Sequence, residues 1–145
     1  MYNKLIPQII LFSSITMAEI LYVPAEFLTI QDAIEASESG DSVLVSPGLY
    51  QENINFEGKL ITVSSLYTIN GDSLLIGTTI IDAQQNGSVV TFASGEDSGS
   101  ILQGFTLQNG FGNDEDPDDN GSYYTYGGGI YCENSDPTIR DCIIR

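Results

Sequence analysis

Phe27-Leu28-Thr29-Ile30-Gln31-Asp32-Ala33-Ile34-Glu35-Ala36-Ser37-Glu38-Ser39-Gly40, followed by Asp41-Ser42-Val43-Leu44-Val45-Ser46-Pro47-Gly48, holds the change of period on which the fold turns. Thr29 stands where an N-cap belongs, with Asp32 three residues on. Ile30, Ala33, Ile34 and Ser37 then keep the i, i+3, i+4, i+7 spacing, and Gly40 ends the run. The spacing predicts one short amphipathic helix over residues 29–39, the only one in the chain. Beyond Gly40 the apolar residues alternate with period two, which is the spacing of a strand with one buried face.

Outward from this point, strand-sized runs follow one another with turn residues between them. Val43 and Val45 precede Ser46-Pro47-Gly48, Ile54 and Phe56 precede Glu57-Gly58, and Ile61 and Val63 precede a loop with Asn70-Gly71-Asp72. Ile81 precedes Asn86-Gly87, Val90 and Phe92 precede Ser94-Gly95, and Ile101, Phe105 and Leu107 precede Asn109-Gly110. Ile130 follows Gly127-Gly128-Gly129, which is expected to permit a tight bend, and Ile139, Cys142 and Ile143 complete the series.

Such strands suit a sandwich, a barrel or a solenoid. Ile54 to Val63, Ile81 to Val90 and Ile130 to Ile139 each span nine residues, and Ile54, Ile81, Leu107 and Ile130 lie 27, 26 and 23 apart. That regularity favours a solenoid of roughly four coils of about 25 residues each, with the helix as lid on the first coil. The chain stops inside the apolar run Asp141-Cys142-Ile143-Ile144-Arg145, so the expectation is an all-β solenoid truncated at its C-terminus.

The opening motifs add a family. Phe27 to Ile34, Gly40-Asp41-Ser42-Val43-Leu44-Val45 and Pro47-Gly48-Leu49-Tyr50-Gln51-Glu52-Asn53-Ile54 resemble the start of pectate-lyase-like and pectinesterase-like proteins. Thr79-Ile80-Ile81-Asp82, Gly104-Phe105-Thr106-Leu107, Gly128-Gly129-Ile130-Tyr131-Cys132 and Pro137-Thr138-Ile139-Arg140-Asp141-Cys142 resemble coils of large bacterial secreted β-helix repeat proteins. The resemblance spans about residues 21–145 and implies a right-handed parallel β-helix of the pectin lyase fold. The superfamily holds polysaccharide lyases, galacturonidases, pectin methylesterases, tailspikes and adhesins, so its fold does not decide an activity.

The first residues read as a signal peptide over 1–18, with Lys4 as the positive region, Leu5 to Met17 mostly apolar, and Thr16 and Ala18 at −3 and −1. Cleavage after Ala18 leaves 19–145 as one domain, secreted or held at the cell surface, with no membrane span. Four Lys and Arg face twenty Asp and Glu, a net charge of −16. Removing Lys4 leaves three basic groups and a net −17. Such a charge repels phosphate backbones, which excludes nucleic acid, and favours hard cations.

Cys132 and Cys142 leave two alternatives open, a disulfide or two small buried thiols. The chain has no His, so Ser-His-Asp and Cys-His nucleophile systems are excluded. Asn113-Asp114-Glu115-Asp116-Pro117-Asp118-Asp119-Asn120-Gly121 contains the D-x-D-x-N-G opening of a calcium loop. Gly127 stands where an EF-hand needs its bidentate acid, so the candidate is a structural clip of Asp116, Asp118 and Asn120, closed by Asp114 or by backbone carbonyls. The alternative is a solvated acidic insertion; no cofactor is required, and calcium is the one candidate.

Tyr123, Tyr124 and Tyr126, beside Ser122 and Thr125, are candidates for stacking on sugar rings, with packing over the surface as the alternative. A polysaccharide-lyase reaction needs a base beside a uronate, and Arg140 alternates with Ile139 on an outward-facing position. Paired carboxylates for hydrolysis are not discernible in sequence, so no catalytic residue is assigned. Asn86-Gly87-Ser88 and Asn120-Gly121-Ser122 fit the N-glycosylation sequon. The expectation is a non-catalytic scaffold or a carbohydrate-binding, surface-recognition segment of an exported β-helix protein, with a polysaccharide or cell-surface glycan as partner. The alternatives are part of a calcium-dependent polysaccharide lyase or other pectin-active enzyme, and a structural adhesin stalk.

Overall fold

A computed structural model describes residues 17–115 and 124–145. The predicted signal peptide falls almost wholly on residues 1–16, outside the described residues. Met17 and Ala18 are exposed.

The chain is mostly β, in parallel sheets that do not close into a barrel. Its elements are β1 (Ile20–Val23), α1 (Ile30–Ala36), β2 (Ser42–Val45), β3 (Gly48–Tyr50), β4 (Ile54–Asn55), β5 (Thr62–Ser65), α2 (Tyr67–Asn70) and α3 (Leu74–Thr78). There follow β6 (Thr79–Asp82), β7 (Val90–Phe92), β8 (Ile101–Gln103), β9 (Thr106–Gln108), β10 (Asn113–Glu115), β11 (Tyr124–Tyr126), β12 (Ile130–Cys132), β13 (Thr138–Arg140) and β14 (Ile143–Ile144).

A five-stranded sheet has the order β1-β2-β5-β8-β13, a four-stranded sheet β14-β9-β6-β3, and a three-stranded sheet β12-β7-β4. From β2 onward the chain visits the five-, four- and three-stranded sheets in that order, completes the circuit three times by β12, and begins again with β13 and β14. Among the described residues only β10 and β11 pair antiparallel.

Register explains the core. Leu21, Val43, Val63, Leu102 and Ile139 are aligned across the five-stranded sheet, and Ile81, Leu107 and Ile144 across the four-stranded one. Ile54, Val90 and Ile130 form the matching row of the third sheet. Period two puts each row on one face, where apolar residues meet those of the other sheets. Phe56, Phe92 and Phe105 are fully buried, and the rings of Phe56 and Phe92 sit 4.4 Å apart. Ile139 and Ile144 continue inward rows and are exposed.

Helix α1 forms as the sequence predicts at its start, where Thr29 Oγ1 accepts from the Asp32 N–H at 3.0 Å and Ile30, Ala33 and Ile34 are buried. It ends at Ala36, earlier than Ser39, because the Ser37 hydroxyl donates to the Ile34 carbonyl at 2.7 Å and competes with the next turn. The segment expected to be a loop carries two further short helices, α2 and α3. The single run expected through Ile101 and Leu107 is two strands, bent at Gly104. There φ is +82°, and a Cβ would press on the Ser65 hydroxyl.

The nine-residue spacings each mark a step to the next sheet, but the longer period does not mark coils. Ile54 and Ile130 lie in the three-stranded sheet, whereas Ile81 and Leu107 lie in the four-stranded one. Register-equivalent residues Val43, Val63, Leu102 and Ile139 are 20, 39 and 37 residues apart. The α2–α3 excursion falls in the first of the longer intervals and the β10–β11 hairpin in the second. Neither changes the pairing of the strands it separates.

Candidate functional site

The rows facing away from the core on the five-stranded sheet run Ile20, Ser42, Thr62, Ile101, Thr138 and, two residues on, Tyr22, Leu44, Ser64, Gln103, Arg140. Neighbouring strands stand ~4.8 Å apart and same-face residues of one strand ~6.6 Å apart, so these side chains form a planar grid. Helix α2 follows β5 directly and lies beside this grid. Its Thr68 hydroxyl donates to the Ser65 carbonyl at 3.0 Å and, more loosely, to Ser64 Oγ at 3.4 Å.

The result is a groove of about 210 Å³. Leu44, 8 % exposed, and Ser64 form its floor. Ile20, Ile69 and Thr68 flank it, and Ser42, Thr62 and Gln103 supply polar groups. None of these residues is ionisable. The Gln103 amide donates to Asp141 at 3.1 Å, leaving its oxygen toward other donors, while Tyr22, 42 % exposed, stands next to Leu44 at the sheet edge. This arrangement can hold a ligand by hydrogen bonds and apolar contact, with no group that could transfer a proton near neutral pH.

Several carboxylates lie at or beside the corners between sheets. Glu96, 2 % exposed, accepts from Gly58 N at 2.8 Å through Oε1 and from Ser94 N at 2.8 Å and Ser135 Oγ at 2.7 Å through Oε2. Gly58, Ser94 and Ser135 follow β4, β7 and β12, so one side chain ties three successive turns out of the same sheet. Burial pushes this carboxyl up, but the donors from Ser94, Gly58 and Ser135 outweigh it and hold it below its ordinary value of 4.5.

Asp82 accepts from the Gln108 amide and Gln84 N, both at 2.8 Å, and from Asn109, and these bonds hold it below 3.8 against burial. Asp41 is held down in the same way by Glu38 N and Glu19 N, each at 2.8 Å. Glu52 accepts from Ile30 N and Gln31 N, each at 2.9 Å, and so satisfies the first two N–H groups of α1 from 21 to 22 residues away.

The residues singled out in sequence lie elsewhere. Asp116, Asp118, Asn120 and Tyr123 fall outside the described residues. Asp114 is on β10, exposed, and accepts from the Thr125 hydroxyl of β11 at 2.6 Å. Tyr124 and Tyr126 are on β11, and Tyr126 is exposed and does not line the groove. Among the described residues no group of three or more His, Cys, Asp or Glu side chains is placed to hold a metal ion.

Cys132 and Cys142 are both free thiols, Cys132 exposed and Cys142 partly covered, and burial raises both, so neither is an activated nucleophile. Arg140 is exposed on β13 and in register with Gln103. Among the described residues no helix is long and apolar enough to cross a membrane. No known family model matches the chain, and no curated protein or solved structure is significantly similar to it.

Proposed function

We propose that the chain is an exported right-handed parallel β-helix akin to the pectate-lyase-like superfamily, and that it recognises carbohydrate at a cell surface without transforming it. Three parallel sheets visited in a fixed cycle support the solenoid, and the strong preference of parallel crossovers for one hand supports its handedness. Export is supported by the pattern of residues 1–18.

The observation that carries recognition is the groove over the five-stranded sheet. Hydroxyl and amide groups are spread there on a flat grid around an aliphatic floor. A glycan presents hydroxyls around its rings and C–H faces between them, which is the complement of that surface.

The test is affinity electrophoresis of the full chain through gels containing plant and bacterial polysaccharides, with product analysis of the same mixtures. Retardation by at least one polysaccharide, without new reducing ends or unsaturated uronides, is the expected result. Equal mobility in every gel would remove carbohydrate recognition, and turnover of any polymer would remove the non-catalytic assignment.

A further inference from the structure

The geometry points to a groove that takes neutral oligosaccharides and rejects uronate-bearing ones, with or without calcium; this rests on the carbohydrate-recognition reading above and adds its selectivity. Polar groups in the groove are the hydroxyls of Ser42, Thr62, Ser64 and Thr68 and the amide of Gln103. The Ser42 and Thr62 hydroxyls make no hydrogen bond to a described residue, so both can donate and accept to a ligand.

A uronate carboxylate lowered onto Leu44 would lose water and meet no cation there. Desolvating an unpaired charge is far costlier than desolvating a hydroxyl. Carboxylates stand at both ends: Glu19 precedes Ile20 and donates its N–H to Asp41 at 2.8 Å, and Asp141 holds the Gln103 amide. The chain carries twenty acidic against four basic residues. Among the described residues the one cation in these outward rows is Arg140, a strand beyond Gln103 and beside Asp141.

Calcium does not rescue a uronate, because no carboxylate lines the groove to share the ion. A neutral sugar meets none of these penalties. Its hydroxyls replace water on Ser42, Thr62 and Gln103, and its C–H faces rest on Leu44 and Ile69, with the Tyr22 ring at the edge.

The experiment is isothermal titration of the full chain with neutral glucan, xylan and mannan oligosaccharides, with oligogalacturonate and oligoalginate, and with a neutral apolar peptide. Each is run with calcium and with chelator. Thr62→Lys places a cation in the groove, Gln103→Ala removes one hydrogen-bonding group, Arg140→Ala removes the bordering cation, and circular dichroism checks that each folds.

Binding of a neutral oligosaccharide at least tenfold tighter than any uronate is expected, unchanged by chelator and by Arg140→Ala. It should weaken about tenfold in Thr62→Lys and about fivefold in Gln103→Ala, with uronate binding gained in Thr62→Lys. Uronates binding as well as neutral sugars would overturn the selectivity. Neutral binding indifferent to both Thr62→Lys and Gln103→Ala would put the glycan elsewhere and overturn this site while leaving carbohydrate recognition standing. Binding of the peptide alone, or of nothing, would overturn both.

Discussion

Replacing Glu96 by Gln keeps the side chain's size and removes its charge. In the native chain both oxygens are occupied, Oε1 by Gly58 N and Oε2 by Ser94 N and Ser135 Oγ. An amide can accept only through its oxygen. Turned one way, it leaves the Gly58 N–H facing an NH2 group; turned the other, it abandons Ser94 N–H while the Ser135 hydroxyl reverses. Either orientation strands one backbone donor, at about 1–3 kcal/mol, and converts the remaining charge-assisted bonds to weaker neutral ones, for a total of about 3 kcal/mol.

Urea unfolding at pH 7 reads this as a lower midpoint at unchanged slope. The pH dependence gives a second readout. Because the folded-state carboxyl is held below its ordinary 4.5, its contribution is fully present above that value and is lost as pH falls through the folded-state value. The gap between wild type and Glu96→Gln should therefore be widest near neutrality and close in acid. Asp41 and Asp82 are also held below their ordinary 3.8 and titrate in both proteins, so the difference isolates Glu96. A midpoint within about 0.5 kcal/mol of wild type, the range of ordinary surface substitutions, would refute the three-turn tie, as would a gap of the same size in acid.

Glu52→Gln should lower protection of the α1 amides in hydrogen exchange and cost about 1–2 kcal/mol, because Ile30 N or Gln31 N loses its acceptor; unchanged exchange in α1 would count against the remote cap. Phe92→Ala should cost about 3–5 kcal/mol in urea unfolding, since the ring is fully buried against Phe56. Gly110→Ala should prevent the native fold from forming, read as lost near-ultraviolet dichroism, because a Cβ there overlaps the Gly128 carbonyl oxygen and no rotamer relieves it. Cys132→Ser should leave the chain's stability within about 1 kcal/mol in reductant or without it, as expected for an exposed free thiol.

How far the sequence carried depends on which forces it displays. Helix α1 was legible because Thr29, Ile30, Ala33 and Ile34 are local signals, and most inward residues were legible because alternation writes burial into neighbours. Which strand pairs with which was not. Ile54 and Ile81 look alike in sequence, yet one pairs with Val90 and the other with Leu107, since turn length and not side-chain type sets the step between sheets. Strand β3 was hidden for a related reason: Gly48 closes the turn signal Ser46-Pro47-Gly48, and the pairing of Gly48 and Tyr50 with Thr79 and Ile81 makes this stretch a strand. The groove was invisible because Ser42, Thr62 and Gln103 belong to three strands and are ordinary outward residues in each.

The acidic composition shows the same limit from the other side. Read as a sum, twenty carboxylates suggest solvation and an affinity for cations. Among the described residues seven of them, Glu26, Asp41, Glu52, Asp72, Asp82, Glu96 and Asp97, instead accept from backbone N–H groups at turns, beside strand ends or at the start of α1. A sharp corner leaves N–H groups that no neighbouring strand can accept from, and a carboxylate is the strongest single acceptor a side chain offers. The carboxylate that ties Gly58, Ser94 and Ser135 does so because the corners stack one above another, so each added strand level brings another donor within reach of the same anion. Part of the acidity therefore follows from the architecture and carries no information about a partner. On the outward face of the five-stranded sheet, where the grid has no turns to satisfy, Arg140 is the one charged side chain in the outward rows among the described residues.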